Sequence, residues 1–168
     1  MRNISIAILI LFFCTACPYE SPVPISKKGN KMIKSLVGKW YRAEDKQLFY
    51  LIEKADKHNY RIIEHAYNEK TESYDLSIYK GFITELKGVY FLNISQYKAN
   101  TNEILVQERP TYYLYKLKVT DEKIIQLFPL SNYIREVFSK SEELKKFISQ
   151  NMHLSFFYGE EETLLRSE

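Results

Sequence analysis

The chain has 168 residues, with 24 Lys and Arg against 21 Asp and Glu, a formal net charge of +3. So mild a basic excess argues against a nucleic-acid partner, which draws a strongly basic face. Five glycines leave little backbone for cradling phosphate groups.

Arg2 is the single charge before Glu20, and Ile4 to Phe13 is apolar apart from Ser5. A basic start followed by such a run is the pattern of an export signal. The run is too short to span a bilayer, which takes about 20 apolar residues. A buried core helix is the alternative, but neither an amphipathic face nor a cap is visible. Residues 1–16 are therefore expected to be a signal peptide.

Cys14-Thr15-Ala16-Cys17 places small residues just before a cysteine. This resembles the lipobox of bacterial lipoproteins, with Cys14 where that motif usually has Leu. The resemblance implies a diacylglycerol thioether on Cys17, cleavage before it and acylation of the new amine. Cys17 then tethers the protein to a membrane, and several acyl chains hold where one binds only marginally. Pro18 rather than Asp follows it, which by resemblance to sorted lipoproteins implies the outer membrane in a two-membrane cell. The same four residues also read as a C-x-x-C redox pair, but that pair needs a folded βαβ setting, and Cys14 falls in a discarded segment. With Cys17 as the one remaining cysteine, the mature chain has no intrachain disulfide, and its stability must come from an apolar core.

Residues 17–34 read as a tether. Pro18, Pro22 and Pro24 resist regular structure and favour an extended, semi-rigid spacer. Lys27, Lys28, Lys31, Lys34 and Lys39 either touch anionic headgroups or are simply solvated. Residues 35–168 are then one domain, dense in Tyr and β-branched residues that suit pleated, half-buried surfaces. Strands are expected near 37–43, 47–55, 59–67, 73–86, 88–97, 111–120 and 123–130. They are joined by turn residues at Asp56–Asn59, Asn68–Lys70, Lys87–Gly88 and Thr120–Glu122, short enough for antiparallel hairpins. In the fourth strand Tyr74, Leu76, Ile78, Phe82 and Leu86 share one face, with Asp75, Ser77 and Glu85 on the wet one. Gly81 suggests a bulge or bend there. Residues 98–110 read as a long loop. After Pro129 the period changes: Ser131 is placed to cap one short helix and Ser141 a second, with Glu142 and Glu143 complementing the second helix's dipole. Strand-like pieces at His153–Tyr158 and Thr163–Arg166 finish the chain. The fold class is mainly β (α+β): an antiparallel meander forming a partial or closed barrel, with one or two C-terminal helices and a late strand.

Leu36-Val37-Gly38-Lys39-Trp40-Tyr41 opens the first of these strands. Its G-x-W resembles the signature of lipocalin and wider calycin barrels, where the Trp closes one end and a late basic residue packs over it. Arg166 is the matching candidate. The whole chain also resembles small, uncharacterised bacterial lipoproteins with a lipobox, a Ser-Pro-x-Pro tether and L-x-G-x-W. Without the resemblance, Gly38 reads as a turn residue and Trp40 as the largest core side chain.

The residues offer little chemistry. His58, His65 and His153 are scattered and form no metal-ligand spacing, and neither a G-x-S-x-G elbow nor a phosphate loop is present. Glu64 with His65, or Glu160-Glu161-Glu162, are acid/base candidates by type, but both read as solvated faces. No cofactor is expected, and the chain reads as a non-enzyme. Tyr113, Tyr115, Leu117 and Val119 share a face opposite Tyr112. Tyrosines of this kind line ligand cavities and protein interfaces, or fill cores. Trp40, Phe82, Tyr113 and Tyr115 are the candidate ligand-binding residues. Two functions remain open: a module binding a small apolar or amphiphilic molecule, or a lipoprotein of the cell envelope that binds a protein, as an assembly factor or an inhibitor or immunity-type partner.

Overall fold

The computed structural model describes residues 18–30, 32–100, 103–105 and 110–167. The signal segment, the lipobox and Cys17 lie outside the described residues. Eight antiparallel strands close into a barrel: β2 (Gly38–Arg42), β3 (Leu48–Lys54), β4 (Asn59–Asn68), β5 (Ser73–Leu86), β6 (Val89–Asn100), β8 (Tyr112–Val119), β9 (Ile124–Pro129) and β10 (Glu162–Arg166). The meander closes where β6 pairs β8, Leu92 facing Tyr115, while β10 slots between β9 and β2. Closure gives each of these eight strands a hydrogen-bonded neighbour on both sides over part of its length. Two short strands add to it: β1 (Glu20–Ser21) on β8, and β7 (Glu103–Leu105) on β6. The segment expected as one long loop is thus in part the continuation of β6 and its hairpin with β7.

Alternation decides what fills the barrel. Trp40, Tyr60, Ile62, Ile83, Leu92, Leu117, Ile125, Leu127 and Leu164 meet inside as one apolar cluster, as period-two strands with one inward face require. In β5 the inward face is the reverse of the expected one: Ile83 points in, whereas Phe82 and Leu86 are buried on the outside and Leu76 is left exposed. Gly81 makes no bulge, and its pairing with Tyr60 and Ile94 is continuous. Its missing side chain makes room instead, because a Cβ there would stand 2.8 Å from Ile62 Cδ1.

The outside of β6 and β8 carries a second cluster. Phe91 and Leu114 meet Leu144 and Ile148 of helix α1 (Ser141–Asn151), together with Tyr19, Ile25, Leu130 and Phe157. This packing explains the reversal in β5, because an apolar outer face need not be wet when other segments cover it. One cover is the proline-rich stretch itself. Composition presents residues 18–30 as a spacer, yet Tyr19, Ser21 and Ile25 are buried against the wall. Ile25 N–H donates to buried Asn93 Oδ1 at 2.8 Å, and Asn30 N–H donates to Ile83 O at 2.7 Å. Prolines that forbid helix also hold a chain extended enough to be laid along a sheet.

Two expected elements take other forms. Ser131 caps a single turn, accepting from Tyr133 N–H at 3.2 Å, and no helix follows over 131–138. Tyr133 and Val137 are exposed there, so the segment lacks the apolar stripe that would hold a helix down. His153–Tyr158 is a short 3-10 turn, Ser155–Phe157, with one isolated bridge from Leu130 to Tyr158. In α1 the cap position is Lys140, and Ser141 is the first helical residue, buried. Among the described residues, the barrel strands and both apolar clusters lie between Tyr19 and Arg166, so the chain from Pro18 onward carries all of them.

Candidate functional site

The barrel has one plugged end and one open end. At the plugged end Trp40 is fully buried and its indole N–H donates to Leu36 O at 2.9 Å. Leu36 ends a 3-10 turn, Lys34–Leu36, that lies over the opening. Tyr60 fixes the same lid: its hydroxyl accepts from Ile33 N–H at 2.7 Å and donates to Ile33 O at 3.2 Å. Burial pushes the Tyr60 phenol up to about 12.

Past the central layer of Ile52, Ile62, Leu92, Leu127 and Leu164 the barrel opens into a pocket of about 200 Å³. Those five side chains are its floor. Its rim is polar and aromatic: Tyr50, Tyr79, Tyr113 and Tyr115, with Glu64, Gln96 and Glu162, and Pro18 at one side. Strand alternation puts them there. Tyr50 stands two residues from Ile52, Glu64 two from Ile62, Tyr115 two from Leu117 and Glu162 two from Leu164, each pair on one inward face.

The electrostatics follow from half-burial. Tyr50 donates to Glu162 Oε1 at 3.2 Å, and Arg42 Nε approaches the same oxygen at 3.5 Å. Burial foremost, then the Glu162 charge, holds the Glu64 carboxyl above the usual carboxylate range, while a hydrogen bond from Tyr79 and the charge of Arg42 pull the other way. Burial and nearby carboxylates likewise push the Tyr50 and Tyr115 phenols far up, so both stay neutral donors. The arrangement can therefore hold an apolar body on the floor and offer phenol and carboxylate oxygens at the mouth. Among the described residues, no three His, Cys, Asp or Glu side chains converge as metal ligands would. Among the same residues no helix is long and apolar enough to cross a membrane.

The sequence candidates separate. Tyr113 and Tyr115 line the pocket. Trp40 plugs the opposite end and does not reach it. Phe82 is on the outer wall, where a Cβ on Gly29 would stand 3.0 Å from its own Cβ, so it is covered by the N-terminal segment rather than sharing the concave face. His65 is stacked on Phe49 at 4.3 Å on the outer wall, away from its neighbour Glu64 on the inner one. Glu64, Glu162, Tyr50 and Tyr79 were missed as a set. The signal for them was the two-residue spacing from the central apolar layer, which becomes informative once the inward parity of each strand is known.

The outer wall of β2 to β5 carries a further aromatic strip. Tyr41, His65 and Tyr74 all meet Phe49, and Tyr67 continues the strip at 5.4 Å from Tyr74. Lys39 Nζ stands 4.0 Å from the Phe49 ring centroid. Comparison of the chain with protein-family models, with curated proteins and with solved structures finds no match.

Proposed function

We propose that this protein is a membrane-anchored, non-enzymatic binding module that holds a small amphiphilic molecule in the open end of its barrel. The observation that carries this reading is the pocket: an apolar floor beneath a rim of four tyrosines and two carboxylates, above an apolar barrel core. Ligand sites have this composition, mostly apolar with a few placed polar groups. The volume is below the range of about 300–1,000 Å³ usual for drug-sized ligands, which points to a short molecule. The lipobox-like segment supplies the anchor in this reading. Pro18 is on the pocket wall, so an acyl group on Cys17 begins one residue from the site.

The test is capture. The chain from Pro18 onward, incubated with envelope extract and washed, is expected to retain a small molecule identifiable by mass spectrometry. Tyr115→Ala should lose that molecule and Phe49→Ser should keep it. Retention unaffected by Tyr115→Ala removes the pocket from the account.

The aromatic strip on the outer wall favours a second reading, an envelope protein as partner. Exposed apolar surface of this kind marks interaction sites. Here Phe49→Ser should abolish capture of a specific protein, with Tyr115→Ala having no effect.

A further inference from the structure

Resting on the pocket reading above, we propose that the ligand is an organic cation: an amine or quaternary ammonium group on a short apolar body. Its charge sits between Glu64 and Glu162, with its body on Ile52, Ile62 and Leu92.

Charge balance is the first argument. Two carboxylates line the pocket, and among the described residues the one cation that pairs with either is Arg42, 3.5 Å from Glu162. One negative charge is left over in a half-buried cleft. An anionic ligand would meet both carboxylates where water screens poorly. A neutral apolar ligand would strip water from Glu64 and return nothing, which is costly for an ionised group. A cation returns the lost solvation.

The aromatic rim is the second, independent argument. Tyr50, Tyr79, Tyr113 and Tyr115 surround the same space. The faces of phenol rings attract ammonium groups, the more strongly where the cation is desolvated. Aromatic walls beside a carboxylate form the cage that alkylammonium groups select. The third argument is size. About 200 Å³ accepts one short chain or small ring and excludes a two-tailed lipid.

The groups facing Glu64 are consistent with this. They are Glu162 from β10, Arg42 from β2, Tyr50 from β3, Tyr79 from β5 and Tyr115 from β8. Burial foremost, then the charge of Glu162, holds the Glu64 carboxyl above its ordinary value. A bound cation favours the ionised form, so its affinity must rise with pH while that of a neutral ligand does not.

The experiment titrates the chain from Pro18 onward with hexyltrimethylammonium, hexyl glucoside and hexyl sulfate by calorimetry at one ionic strength. The cation is expected to bind at least about tenfold tighter than either of the others. Glu64→Gln and Glu162→Gln, near-isosteric changes checked by melting, should each weaken it by about tenfold. Wild-type affinity for the cation should also climb as pH rises above the ordinary carboxylate range, because the Glu64 carboxyl is held above it. This last measurement needs no variant. Equal binding of the glucoside, or preference for the sulfate, overturns the cation assignment and leaves the pocket reading standing. Binding of none of the three overturns both.

Discussion

Arg166 lies across the indole of Trp40, its guanidinium carbon 4.8 Å from the ring centroid, and the same guanidinium donates to the carbonyls of Ser35 and Val37. The contact joins β10 to β2 and holds the 3-10 lid over the plugged end. One residue from each of two barrel strands is thus spent on one closure. The functional consequence is asymmetry, because with this end shut the pocket at the other end is the way into the barrel.

Trp40→Ala is expected to cost about 3–5 kcal/mol, as truncation of a large buried aromatic does. Arg166→Met keeps an apolar stem over the ring and removes the carbonyl hydrogen bonds. It should cost about 1–3 kcal/mol, the penalty of leaving such groups unpaired. Urea melts of both variants measure this. Arg166→Met melting with wild type would mean that the lid is held by Tyr60 and Leu36 alone.

Asn93 is the clip that fixes the N-terminal segment. It is fully buried, accepts from Ile25 N–H at 2.8 Å and donates to Thr84 Oγ1 at 3.1 Å. Asn93→Ala leaves the Ile25 N–H without its acceptor and should cost about 1–3 kcal/mol. The loss should also appear locally, as protease cutting within residues 18–30 of a chain whose barrel is still folded. Cleavage at the wild-type rate would show that Ile25 packing suffices.

Much of the barrel was legible in the sequence. Runs such as 59–67 and 73–86 agree closely with β4 and β5 because hairpin turn residues punctuate them. Facing was harder. Tyr74, Leu76 and Phe82 do share a side, but it is the outer one, since residues 18–30 cover Phe82 and nothing local announces that cover. The same non-local packing turns an expected tether into part of the wall. It also leaves 131–138 without a helix, its Tyr133 and Val137 pointing to solvent. Half of the candidate site was readable from Tyr113 and Tyr115. The carboxylate half was not, because Glu64 and Glu162 look like ordinary solvated acids until closure turns them inward.

Glu64 makes stability depend on pH in the direction opposite to a salt-bridged carboxylate. Its folded pKa is raised, burial being the chief cause. In the window above the unfolded value the folded state therefore binds more protons, and stability falls as pH rises. The contribution is fully present below the unfolded pKa and lost as pH passes the folded one. Glu64→Gln removes this term, so its stability relative to wild type should increase as pH rises from the ordinary glutamate value upward. The side chain is only half-buried, so the change will be modest. Denaturant midpoints of both proteins across that range give the slope, and a flat difference would mean that the carboxyl is solvated as in the unfolded chain.

The proposed anchor decides where the pocket faces. Cys17→Ser should abolish palmitate labelling and membrane recovery, since Cys17 is the lipid carrier in the proposed function. If the lipid is on Cys17, the anchor begins one residue from the pocket wall at Pro18, and the two-residue strand β1 pins that segment to β8. Little free chain then separates the barrel from the bilayer, and its open end is held against the membrane. Leu76 is 60% exposed on the outer wall, in register with His65 and so level with the pocket rim. A fluorophore on Leu76→Cys should be quenched by lipid-borne quenchers in the native anchored protein. Inserting about 20 Gly/Ser residues between Cys17 and Pro18 adds a coil of roughly 25 Å. This should keep anchoring and fold while shifting the label toward water-soluble quenchers. Equal lipid quenching with and without the insert would show that the barrel lies on the membrane by its own surface, and weak quenching in both would show that the open end faces away from it.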